Sequence, residues 1–119
     1  MEQKARKTFD LEERTLTFAK AVREFVKTLP RSVANLEDSK QMVRSSGSVG
    51  ANYIEANEAL SKKDFIMRIK IARKEAKESV YWLKIIDVSD SLEVKRSPLE
   101  REAIELTKIL SAILLKSAE

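Results

Sequence analysis

Leu11, Thr15, Phe18, Val22, Phe25 and Leu29 recur at spacings of four and three. At that interval side chains return to one face of an α-helix. Asp10 stands where a cap would, and Glu13 sits three residues on to complete a capping box, so the first helix is expected to start at Asp10. Pro30 ends it, because the residue before a proline is pushed out of helical angles. The same rhythm returns in Met42, Ser46, Val49, Tyr53, Ala56 and Leu60, which predicts a second helix from about Ser32 or Asn35 to Ala59. The third opens with Ser61 as cap and Asp64 reaching back, and carries Phe65, Ile69, Ala72, Ala76, Ser79, Leu83 and Ile86 inward until Asp87. The fourth is expected at "SPLE": Ser97 caps, Pro98 takes the first helical position and Glu100 the third, followed by Leu99, Ala103, Leu106, Leu110 and Ile113. No stretch alternates with the period of two that a strand requires. Short connections favour antiparallel neighbours. The pattern therefore predicts an all-α chain, an up-and-down antiparallel four-helix bundle, forming one domain over residues 1–119 with a flexible segment at 1–9.

The second helix carries a secondary stripe, Val43, Gly47, Gly50 and Ile54, beside its main one. It holds both glycines of the chain. Glycine in a helix interior is unfavourable by about 1 kcal/mol against alanine, so something must offset it. A phosphate-gripping loop would need a preceding strand and a following lysine. Here no strand precedes, and Asn52-Tyr53 follows. Close approach by a neighbouring helix is the better reading. Ser46, Gly47, Gly50 and Ala51 are the expected packing residues, with the stripe on a buried side.

Composition narrows the chemistry. The chain has no cysteine and no histidine, which removes disulfides, thiolate ligands, the commonest general base and the commonest transition-metal ligand. No enzyme activity, cofactor or metal is expected. The N-terminal stretch is charged and lacks the apolar core of a signal peptide, and no apolar run nears the roughly 20 residues that span a bilayer. A soluble, cytoplasmic protein is expected. The net charge is +4, and residues 61–87 alone carry +4.

That excess falls largely on one face of the third helix. Lys63, Lys70, Lys74, Lys77, Tyr81 and Lys84 share it, with Arg73 at its flank. Such a stripe can track a phosphate backbone by releasing counterions, with Tyr81 stacking on a base. The plainer alternative is a solvated face with local pairs such as Lys74 with Glu78. Glu55, Glu58, Glu75 and Glu78 are spaced as in carboxylate bundles, but those use histidine, and here Glu55, Glu75 and Arg44 read as salt-bridge partners between or along helices. Trp82 is expected at the edge of the core, where a large aromatic either packs locally or anchors a subunit contact.

The segments "RTLTFAKAVREFVKTLP", "QMVRSSGSVGANYIEANEALSKKDF" and "IARKEAKESVYWL" are similar to the four-helix-bundle proteins encoded in intervening sequences of bacterial 23S ribosomal RNA genes, over roughly residues 14–83. The chain also resembles the accessory variability proteins of diversity-generating retroelements. The resemblance implies a left-handed bundle, a homo-oligomer built as a ring of five, and no enzymatic activity. It implies a basic surface that meets nucleic acid, and a reverse transcriptase as a possible protein partner. Basic residues of the third and first helices become candidate contacts. The expected function is nucleic-acid binding, to structured RNA or RNA/DNA. The alternative is a protein-interaction scaffold.

Overall fold

A computed structural model describes the backbone of residues 2–118 and the side chains of residues 10–118. It contains α1 (Glu2–Val26), α2 (Val33–Asn57), α3 (Lys62–Ile85) and α4 (Asp90–Ser117), joined by connections of four to six residues. There is no strand among the described residues. Consecutive helices pack side by side and α4 returns to α1, so the four close one core in an all-α four-helix bundle measuring 45 × 25 × 19 Å. No described helix is long and apolar enough to cross a membrane.

The periodic positions build the core. Leu11, Thr15, Phe18, Val22, Phe25 and Leu29 are all buried. They meet Met42, Val49, Tyr53 and Ala56 of α2, Ile69, Ala72, Ala76 and Leu83 of α3, and Ala103, Leu106 and Leu110 of α4. The closest seam joins α2 and α3, where the facing side chains are small: Ser45 and Ser79 share a buried Oγ–Oγ hydrogen bond of 3.0 Å. The seam between α1 and α4 is the thinnest. It is clasped by Arg14, whose Nε and Nη2 donate to the two carboxylate oxygens of Glu102 at 2.7 and 2.8 Å.

Several boundaries differ from the sequence expectation. The backbone of α1 is already helical at Glu2, so Asp10 lies inside the helix and caps nothing. Of the two expected starts of α2, Ser32 is the one that caps it: Ser32 Oγ accepts from Asn35 N–H at 3.1 Å. This helix ends at Asn57, two residues early, so Leu60 swings off the core face and is fully exposed. Ser61 caps α3 as expected, accepting from Asp64 N–H at 3.0 Å.

The largest difference is α4, which starts at Asp90 with Pro98 inside it. Proline removes one backbone donor from the ladder. The extra turns are held by Arg96, which is paired with Glu93 and Glu100 and donates to the Leu83 carbonyl at 3.2 Å. The Arg96 hydrogen bond also holds the Glu93 carboxyl below its usual titration range.

Candidate nucleic-acid interface

The inward stripe of α3 fixes what faces out. Ile69, Ala72, Ala76, Ser79 and Leu83 are buried, so the residues half a turn away point to solvent. Lys63, Lys70, Lys74, Lys77 and Lys84 are all exposed, and Arg73 is half-buried at the flank. From Lys63 to Lys84 the row runs about 32 Å at 1.5 Å per residue. Tyr81 lies in the same row at 58% exposure.

The local pair that would have neutralised this row does not form. Glu78 turns to α2, where its carboxylate accepts from Arg44 at 3.0 Å. Arg44 also stands 3.2 Å from Glu75, whose carboxylate is buried in the α2–α3 seam. Of the two carboxylates expected in salt bridges with Arg44, Glu75 forms one and Glu55 is simply exposed, while Glu78 joins Arg44 as well. Among the described residues, none of the five lysines nor Arg73 has a carboxylate within 4.0 Å. The described residues also contain no group of three or more acids placed to hold a metal ion.

The two aromatics at the end of the row divide their tasks. Trp82 packs against the core, with its indole Nε1 shielded from solvent and without a hydrogen-bond partner among the described residues. Tyr81 meets it edge-on, ring centres 5.1 Å apart. The exposed aromatic is Tyr81; Trp82 is partly buried against the core of its own bundle.

The packing residues around the glycines need correction. Ser46 is fully buried, and Gly50 lies hard against α1: a Cβ there would stand 2.7 Å from Thr15 Oγ1 and 3.1 Å from Thr15 Cβ. Gly47 meets no helix backbone. Its open face is covered by the Arg23 guanidinium, 3.3 Å from the site of a Cβ. Ala51 is exposed, because it lies far round α2 from the core stripe. The stripe as a whole is half-buried at best, and Ile54 at its end is exposed.

The family resemblance made basic residues of the first helix candidate contacts, but sequence reasoning did not say which of them. Between α1 and α2 lies an open groove of about 640 Å³, lined by Lys20, Arg23, Glu24, Val26, Lys27 and Val43. Lys27 pairs with Glu24 at 2.7 Å. Lys20 and Arg23 have no carboxylate within 4.0 Å among the described residues. The signal was present as basic residues at i, i+3 and i+7 on the first helix. Only the approach of α2 turns that row into a groove wall.

Comparison with known proteins agrees with this architecture. No curated protein matches the chain. The crystal structure of a protein of unknown function from the S23 ribosomal protein family of Bacteroides thetaiotaomicron is similar to it at 31% identity. That match has a TM-score of 0.79 and covers 91% of this chain and 97% of the other. The model of the 23S rRNA-intervening sequence protein family matches residues 7–112, beyond residues 14–83 at both ends and into α4. With fold and sequence in agreement over most of its length, the chain belongs to the 23S rRNA-intervening sequence protein family.

Proposed function

We propose that this protein is a non-enzymatic, homo-oligomeric nucleic-acid-binding bundle whose α3 row contacts the phosphates of structured RNA. One observation carries the reading: a row of five exposed lysines with no acid paired to any of them among the described residues. Lysines left without internal partners can neutralise phosphates and release the cations condensed on a polyanion. Each contact is weak alone. Assembly into a ring, five-membered as the family resemblance implies, sets several rows around one nucleic acid and raises their effective concentration. The test is charge reversal of Lys70, Lys74 and Lys77 to Glu together. Binding of a labelled, structured RNA at low salt should be abolished, while sedimentation shows the same particle as the parent. Unchanged RNA affinity removes the row from the function.

A second reading follows from Met67 and Tyr81, 48% and 58% exposed among the lysines. Apolar and aromatic side chains within a basic row suit a protein partner such as a reverse transcriptase, and the bundle is then a docking scaffold. Salt separates the two. Phosphate binding weakens steeply as salt rises, whereas an apolar dock does not.

A further inference from the structure

The groove between α1 and α2 combines a basic rim with an apolar floor. Lys20, Arg23 and Lys27 stand around it, and Val26 and Val43 line its base. Glu24 is the one acid present and is paired with Lys27. Arg23 is held in place: its Nη1 donates to the Ala19 carbonyl at 3.2 Å, and its guanidinium lies over Gly47, where a larger residue would push it away. Gly47 therefore acts as a seat for a cation that has no carboxylate of its own within 4.0 Å among the described residues.

From this we infer that the α1–α2 groove takes one unpaired nucleotide, its phosphate on Lys20 and Arg23 and its base on the Val26–Val43 floor. The size of the groove decides between occupants. Its wall on α1 runs from Lys20 to Lys27, about 10 Å at 1.5 Å per residue. A docking helix presents anchors at i, i+3, i+4 and i+7 and needs a matching trough on both sides. Here α2 contributes Val43 alone to the lining. A base with its phosphate fits the shorter length. Its planar apolar face and its phosphodiester anion match the floor and the rim in chemistry, and splayed-out, unpaired bases are what proteins commonly read in RNA. This inference rests on the nucleic-acid reading and names where an unpaired residue of that RNA is gripped, apart from the α3 row.

The chain's two glycines supply the test. Protein labelled with 15N-glycine gives two backbone amide signals, assigned by Gly47→Ala. Titration with adenosine 5′-monophosphate should move the Gly47 signal saturably and leave Gly50, shut against Thr15, nearly still. Adenosine or inorganic phosphate alone should move it only at much higher concentration. Arg23→Gln should weaken the nucleotide at least tenfold without changing the thermal midpoint, since Arg23 is exposed. A Gly47 signal unmoved by the nucleotide, or Arg23→Gln protein that binds it as the parent does, overturns the assignment. A shift produced by an acidic amphipathic peptide and not by the nucleotide overturns it in favour of a protein partner. The α3 reading is judged separately by the anisotropy of labelled structured RNA. It falls if the parent protein leaves that RNA unbound, whatever Gly47 does.

Discussion

Gly47 and Gly50 sit one helical turn apart on α2, yet an added methyl group meets different things at the two positions. At Gly50 it would enter Thr15, at 2.7 Å from Oγ1 and 3.1 Å from Cβ, and Thr15 is itself buried with its hydroxyl bonded to the Glu12 carbonyl at 3.0 Å. At Gly47 it would touch only the far end of the Arg23 side chain, which can swing into solvent. Alanine is favoured over glycine in a helix interior by about 1 kcal/mol, while overpacking a closed site typically loses 1–3 kcal/mol. Gly47→Ala should therefore raise stability by up to about 1 kcal/mol, and Gly50→Ala should lower it by up to about 2 kcal/mol. Chemical denaturation of the two variants checks this, and two changes of the same sign would refute it. The helical period places both glycines on the α1 side of α2. It does not set the axial offset of α1, which decides whether a backbone-proximal threonine or a flexible arginine stands opposite. That is why the sequence pattern treats the two alike and the structure separates them.

Between elements, Asn35 joins two ends of the bundle. Its side-chain amide donates to the carbonyls of Pro30 and Asp87, both at 3.1 Å, and its Oδ1 accepts from Asp87 N–H at 3.2 Å. The α1–α2 connection, the start of α2 and the end of α3 are thereby tied by one buried residue. Nothing in the sequence near Asn35 marks this, because the partners are 5 and 52 residues away. Asn35→Ala should lose about 2 kcal/mol, since buried groups left without partners cost about 1–3 kcal/mol and water at the exposed Pro30 and Asp87 recovers part. Asn35→Asp is the sharper variant. An acid in the first turn is ordinarily favoured by the helix dipole, but here two carbonyl oxygens face it. Those carbonyls and burial favour the protonated carboxyl, which can still donate one hydrogen bond. The folded-state pKa is thus raised, and the deficit relative to the parent should be small in acid and grow as pH rises through the ordinary carboxylate range. A deficit that is flat with pH would mean that the side chain has left the junction. The start of α4 teaches the same lesson. Ser97-Pro98 reads as a helix opening by local chemistry, but Arg96 reaching Glu93, Glu100 and the Leu83 carbonyl extends the helix back to Asp90. Periodicity recovers which faces are buried, and contacts distant in sequence decide where the helices end.

Over the whole molecule, charge is segregated by packing. The acids of α3 that could neutralise its lysines, Glu75 and Glu78, are drawn into the seam by Arg44, so the bundle itself keeps the outer row cationic. The outward row was legible because the periods of its lysines and of the core apolar residues are the same. That no acid pairs with it was not legible, since Lys74 and Glu78 stand at the spacing of a local pair and only the nearness of α2 diverts the glutamate. If the protein binds nucleic acid as the proposed ring, this arrangement allows the number of subunits engaged with one nucleic acid to be counted. Lys63, Lys70, Arg73, Lys74, Lys77 and Lys84 give one protomer six cationic groups on this surface. Each neutralised duplex phosphate contributes about −0.9 to the slope of log K against log salt, so the row can supply about −5 and, with the one phosphate proposed for the α1–α2 groove, a protomer can supply a slope no steeper than about −6. If rows from neighbouring subunits act together, the measured slope on a structured RNA should exceed that limit, and mixing parent protein with the Lys70, Lys74, Lys77 charge-reversed chain should reduce it in steps as reversed subunits enter the ring. A slope of about −6 or shallower, unaltered by mixing, would mean that a single protomer is used and that assembly adds nothing to the grip on RNA.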